Sequence, residues 1–275
     1  MEERKWIDEF YSYGALIPYT PEQSELLNKN APVMLYQYRS GSEYDLNNIR
    51  NGVIWASAVE RFNDPFDCDF NMKLMKEWGN EILKKYPGSL MKYNLVAMEK
   101  AMLNMREDTA VSCFSEEKES ILMWSHYANK HKGICVCYDP LEVLAIGKCL
   151  FPVWYKTEKV NPYIRNGKEG IKLNDRIKEI FVQKAPEWGY EKEWRIIQMT
   201  MSEVAQQKLK KDGGLEIGVI YPKCIILGAR AEEELVEKVK KLGEEKMINI
   251  AQMKLCENEY RLEIAHWDGK EFIII

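Results

Sequence analysis

From Glu193 onward the chain carries a succession of short apolar runs: EWRIIQM, LEIGVIY, KCIILGA, MINIAQM, YRLEIAHW and KEFIII. Runs of this length, rich in β-branched and aromatic residues, read as strands. Helical spacing returns only briefly among them, near 231–243. With so many strands and so few complete strand-helix-strand periods, the expected class is α+β, built on a mixed or largely antiparallel sheet. No glycine-rich turn has the spacing of a dinucleotide-binding loop, which argues against a doubly wound parallel fold.

The first half fits the same class. LYQYR and VIWASA, near 33–38 and 53–57, are strand-like and flanked by Gly41 and Gly52, with a short helix from Asp45 to Asn51 between them. Upstream, Thr20 as N-cap, Pro21 at the first helical position and Gln23 three residues after the cap start a helix. Residues 72–108 take helical spacing, broken once at YPGS, and read as a helical insertion or cover. TAVSCF is then a strand, ESILMWSHYANK a helix closed at Gly133, GICVCYD a strand, and Asp139-Pro140 caps another helix. LFPVWY adds a strand candidate, and 168–182 a helix. No repeat and no Pro/Gly/Ser-rich linker divides the chain, so one domain over residues 1–275 is expected.

Composition narrows the function. With 275 residues, 46% of them apolar, the chain can bury a core without a metal or disulfide frame. A formal charge of −4 does not suit a surface that coats nucleic acid, though it leaves room for a local basic groove. Seven scattered cysteines, no bilayer-length apolar run and a start at Met1-Glu2-Glu3-Arg4 lead us to expect a cytoplasmic protein with no membrane contact.

Four places carry chemistry. Arg39 ends the first strand with a fork of donors suited to a phosphate or a ribose, and Tyr36 and Tyr38 alternate onto one face where they can stack on a flat ring; the plain alternative is a surface Arg paired with Asp45 or Glu43. The loop RFNDPFD holds Asn63, Asp64 and Asp67 around Pro65; its first reading is a turn, which Phe62 and Phe66 would anchor on the core, leaving polar groups rigidly presented. In the helix at 121–128, the spacing of Ile121, Trp124, Ser125 and Ala128 makes Trp124 a core residue and leaves His126 and Tyr127 to line a cleft. His126, His131, Cys135 and Cys137 are metal-ligand types, but their spacing fits no standard pattern and no metal is expected. Last, if the strand WRIIQM extends back to Glu191, then Glu191, Glu193 and Arg195 alternate onto one face, so that a carboxylate beside an Arg would stay ionised; an edge-strand ion pair is the plain alternative.

LYQYRSG, NDPFD, the segment from SCFSEEKES to GICVCYD, and YEKEWRII resemble, in order over roughly residues 33–230, a widespread bacterial family known as domain of unknown function 2971, often found near phage-defence genes. The opening segment is similar, more loosely, to ADP-ribosyltransferase domains, including DNA-modifying toxins and RNA 2′-phosphotransferases. That second resemblance implies an ADP-ribosyltransferase-like core that binds NAD as substrate and transfers ADP-ribose to a macromolecule, nucleic acid or protein. It implies that Arg39 and Tyr38 bind the dinucleotide, Ser57 supports the ribose, Asn63, Asp64, His126 and Tyr127 shape the pocket, and Glu193, with Glu191 as rival, stabilises the cation that forms when nicotinamide leaves. Two rivals use the same residues: a non-catalytic sensor of a defence system, and a nuclease with magnesium held by Asp64, Asp67 and Glu193.

Overall fold

The computed structural model describes residues 4–15, 18–85, 91–159 and 178–274. Its strands are β1 Leu35–Arg39, β2 Val53–Ala58, β3 Thr109–Ser115, β4 Ile134–Tyr138, β5 Phe151–Pro152, β6 Trp154–Tyr155, β7 Gln183–Lys184, β8 Glu193–Met199, β9 Gly214–Val219, β10 Cys224–Leu227, β11 Asn249–Leu255, β12 Leu262–Trp267 and β13 Phe272–Ile274. Helices are α1 Trp6–Ser12, α2 Pro21–Asn30, α3 Glu43–Arg50, α4 Met72–Lys85, α5 Met91–Glu107, α6 Ile121–Tyr127, α7 Pro140–Ala145, α8 Glu203–Asp212 and α9 Glu233–Lys246. The class is α+β, with one large, mostly antiparallel sheet. Among the described residues no helix is long and apolar enough to cross a membrane.

The sheet runs β13-β12-β11-β10-β4-β1-β3-β2-β9, and β8 joins β3 to β5. Among the described residues, the β10–β11 pair alone is parallel within it. Its central feature is β3. One edge of β3 pairs with β8 from Thr109 to Ser115. The other edge is shared: β1 meets it at Ser115, and β2 meets it at Val111 and Ala110. Between these two contacts the ladder opens, and the Gln37 side chain bonds to Ser112 Oγ and the Cys113 carbonyl in place of a strand. The sheet is therefore split at β3, with β1 and β2 as the two lips.

Each face of the sheet buries its own core. On one side, Leu35, Ile54, Trp194, Ile196, Ile225 and Leu227 pack under α9, whose Val236, Val239 and Leu242 face inward at helical spacing. On the other, Tyr38, Cys135, Cys137 and Ile226 pack under Met123, Trp124 and Ala128 of α6 and its following turn. Residues 129–131 all take positive φ, and this lets the chain reverse into β4. Gly133 is required there. A Cβ on it would sit 2.2 Å from the Arg39 carbonyl oxygen, closer than any side chain can approach backbone.

Several expectations need correction. Helix α6 ends at Tyr127, before Gly133, and its buried side is Met123 and Trp124, with Ile121 41% exposed and Ser125 only half-buried. LFPVWY makes two two-residue strands on either side of Val153, not one. Of the helix expected near 168–182, residues 168–177 lie outside the described residues, and Glu179–Phe181 form a single 3-10 turn. Helices α1 and α8 had no place in the sequence reading. Phe66, expected to anchor its loop, is 64% exposed, with Lys159 over its ring.

Candidate active site

The split at β3 opens a cleft of about 360 Å³. Tyr36 and Tyr38 come to it from β1, Ser57 from β2, and Cys113, Phe114 and Ser115 from β3. Arg61, Phe62 and Asn63 enter from the loop after β2, and Met123, His126 and Tyr127 from α6. Lys184, Glu191 and Glu193, with Asp67, close one end. Aromatic and apolar groups thus form the walls and a charged cluster the floor, which is the usual make-up of a small-molecule site.

That cluster holds three carboxyl groups and two cations. Arg195 is wholly buried. Its Nη1 and Nη2 donate to the two oxygens of Asp67 at 2.8 and 2.7 Å, while Nε and Nη2 donate to the two oxygens of Glu193 at 2.8 and 3.0 Å. A fifth bond runs from Nη1 to the Phe181 carbonyl. Lys184 Nζ donates to Glu191 Oε2 at 2.6 Å and Glu193 Oε2 at 2.9 Å, and lies 3.7 Å from Asp67 Oδ2. Its ammonium also sits 4.9 Å from the centre of the Trp188 ring.

Three acids against two bases leave one carboxyl without a full counter-charge, and the geometry selects Glu191, which does not touch Arg195. Burial pushes its carboxyl up to about 7, helped by the charge of Glu193 and resisted by Lys184 and by the Tyr127 hydroxyl, which donates to Oε1 at 2.7 Å. Glu193 goes the other way. Burial would raise it, but Arg195 and Lys184 outweigh burial and hold it well below the usual carboxylate range, with the Cys113 thiol adding a bond. Burial and the nearby carboxylate leave that thiol pushed far up and unreactive. Two glutamates two residues apart are therefore shifted in opposite directions by their surroundings.

Local chain geometry explains how both reach the floor. Glu191 closes a 3-10 turn, Pro186–Glu191, and Lys192 then takes a left-handed conformation, φ 43°, before β8 starts at Glu193. The strand does not extend back to Glu191. The single left-handed residue turns Lys192 outward to Glu117 and brings the flanking glutamates to one side. Ser115 Oγ fixes the turn by donating to the Glu191 carbonyl, and Tyr155 fixes the start of β8 at the Glu193 amide.

Of the residues singled out in the sequence, Tyr38, Ser57, Asn63, His126, Tyr127, Glu191 and Glu193 line this one cleft. Asn63 acts on the Tyr127 phenol and favours its ionised form, extending the chain of contacts to Glu191. Arg39 does not join them. Strand alternation puts it on the face of Leu35, where its charge acts on the buried Tyr138 phenol, so no guanidinium from β1 faces Glu193 across the cavity. Asp64 is a turn residue, its Oδ1 accepting from the Phe66 amide. Asp45, considered as a partner for Arg39, instead accepts from Ser40, Gly41 and Ser42 at the start of α3. His131 stacks on Trp124 and contacts Ser125, while Cys135 and Cys137 point into the core, so the four metal-type side chains do not converge. Lys184 and Arg61 were missed. Neither has a local motif, and Lys184 is recognisable only once the fold puts it between Glu191 and Asp67.

Fold and site together define an α+β protein with an aromatic cleft at a split in its sheet, floored by a buried ion cluster with one carboxyl poised near neutrality. Residues 123–196 match the model of a family described as protein of unknown function (DUF2971). That stretch runs from Met123 to β8 and includes His126, Tyr127, Lys184, Glu191, Glu193 and Arg195. No curated protein and no solved structure matches the chain.

Proposed function

We propose that the cleft is an ADP-ribosyltransferase-type site that takes NAD as substrate, with Glu191 as its working carboxylate. The observation that carries this reading is the convergence of two tyrosines, a serine and a split glutamate pair where the sheet divides. Tyr36 and Tyr38 offer faces for the nicotinamide, and Ser57 a hydroxyl for its ribose. When the bond between ribose C1′ and the nicotinamide nitrogen breaks, the electron pair leaves with nicotinamide and the sugar becomes an oxocarbenium ion. A fixed carboxylate beside it stabilises that charge, and an ionised Glu191 can take the proton of the attacking acceptor.

In this assignment Glu193 is the buttress. Both of its oxygens are held by the buried cations Arg195 and Lys184, whereas Glu191 shares Lys184 and is held on its other oxygen by Tyr127, a residue of the cleft wall. Arg61, at the cleft wall, takes the dinucleotide-binding part first expected of Arg39, with its donors toward a phosphate.

The test uses NAD labelled in the nicotinamide ring, incubated with the protein and with nucleic-acid or protein acceptors. Labelled nicotinamide should be released, and Glu191→Gln should slow release by about 100-fold or more. NAD that stays intact under every acceptor condition overturns the proposal. One observation favours the sensor alternative: the ion cluster is internally satisfied, as suits a rigid recognition pocket. NAD binding without nicotinamide release would select it. The magnesium nuclease loses support because Arg195 already occupies both oxygens of Asp67 and of Glu193, and Asp64 serves its own turn.

A further inference from the structure

A row of side chains continues from the cleft wall across the sheet. Ser115 of β3 is the register partner of Tyr36 on β1, Tyr36 of Cys137 on β4, and Cys137 of Cys224 on β10. Ser115 and Tyr36 line the cleft, so the two cysteines extend the same wall beyond it. Both are free thiols, Cys137 buried and Cys224 partly exposed. Directly opposed residues in an antiparallel ladder have Cα atoms roughly 4.5–5.5 Å apart, inside the roughly 4.4–6.8 Å that a disulfide spans. The two thiols face each other closely enough for each to shift the other's ionisation.

They are not equivalent. The contact with Cys224, together with burial, raises the Cys137 thiol well above its ordinary value. The same contact lowers Cys224 against the effect of burial, and the Lys118 ammonium assists. Thiolates are the nucleophilic form, and oxidation-sensitive cysteines pair an accessible, easily ionised thiol with a resolving partner. Cys224 fits the first description and Cys137 the second.

We propose that Cys224 and Cys137 form a peroxide-responsive dithiol whose oxidation ties β4 to β10 beside the cleft wall. The Cys224 thiolate attacks one oxygen of hydrogen peroxide; the O–O bond breaks, the departing hydroxide takes up a proton as water, and Cys224 becomes a sulfenic acid. Cys137 Sγ then attacks Cys224 Sγ, the S–O bond breaks, and the leaving hydroxide combines with the Cys137 proton as a second water. Two electrons pass from the thiol pair to peroxide. Cys135, on the same face, stands opposite Ile226 and so reaches Cys224 only diagonally, which makes it the poorer partner.

The experiment treats the folded full-length protein with hydrogen peroxide, blocks remaining thiols after denaturation, and maps peptides by mass. Oxidation should remove about 2 Da from the chain, link the Cys137 and Cys224 peptides, and reverse with dithiothreitol. In Cys137→Ser, Cys224 should stop at the sulfenic acid and be captured by a dimedone-type probe. In Cys224→Ser, Cys137 should be recovered unmodified. Cys149 and Cys256, also partly exposed, serve as internal references and should react about tenfold more slowly or less. Absence of the link, a Cys135–Cys224 link in its place, or Cys224 reacting no faster than the references would overturn the proposal.

Discussion

Replacing Arg195 by Met keeps the length and apolar stem of the side chain and removes one charge from the floor of the cleft. Four charge-assisted bonds to Asp67 and Glu193 and one to the Phe181 carbonyl disappear. Glu193 then has Lys184 alone, and Asp67 keeps only a 3.7 Å contact with the same lysine. Breaking a buried ion pair from one side costs about 3–5 kcal/mol. At about 2–4 °C per kcal/mol for a chain of this size, the midpoint of thermal unfolding should fall by roughly 6–20 °C. Urea unfolding followed by tryptophan fluorescence measures the loss. Its pH dependence identifies the cause. In the wild type, Glu193 has a depressed pKa, so its contribution is fully present above the ordinary carboxyl value and disappears only as pH falls through the lower folded value. In the variant, Glu193 is a buried carboxylate without its main counter-charge and is relieved by protonation, so the gap between the two proteins should narrow as pH is lowered from about 7 to about 5. A gap under about 1 kcal/mol, or one that widens on acidification, would refute the reasoning.

Glu191 gives the opposite sign. Its folded pKa of about 7 lies above the unfolded value, so the stability linked to it is present below the ordinary carboxyl range and is lost as pH rises through about 7; Glu191→Gln should therefore gain stability relative to wild type between about pH 4.5 and pH 7 in urea titrations, and level off above. Tyr127→Phe removes a bond that favours the ionised form, so the pKa of Glu191 should move upward, read from the pH profile of any nicotinamide release or by NMR titration. Gly133→Ala should destabilise by about 3 kcal/mol in urea unfolding, because backbone and not a movable side chain meets the new methyl. Asp45→Ala should lose about 1–2 kcal/mol in the same assay through its bonds to Ser40, Gly41 and Ser42.

Local signals were the readable ones. The Thr20-Pro21-Gln23 start forms a reciprocal capping box, and Asp139 caps its helix through the Leu141 amide, because such devices act within one turn. Strand periodicity marked β1, β2 and β8 to β13, and alternation brought Tyr36 and Tyr38 to one face. The same alternation rule, applied to Arg39, sends it to the other face, so that it does not line the cleft. What sequence left out was long-range. Lys184 meets Glu191 and Glu193 through a lone left-handed residue, Lys192, that no periodicity announces. Helix α8 is short and mostly polar, with Leu209 its sole fully buried residue, so it carries little amphipathic signal. The cleft depends on β1 and β2 sharing one edge of β3, a pairing between segments more than fifty residues apart.

The division of labour between the two glutamates can be measured by NMR on protein labelled with carbon-13 at the glutamate carboxyls, with Glu191→Gln and Glu193→Gln used to assign the signals. One resonance, absent in Glu191→Gln, should titrate with a midpoint near 7, while the Glu193 resonance keeps the shift of a carboxylate down to about pH 4. A Glu191 midpoint in the ordinary carboxyl range, or Glu193 titrating alongside it, would contradict the assignment of one carboxyl to chemistry and the other to structure.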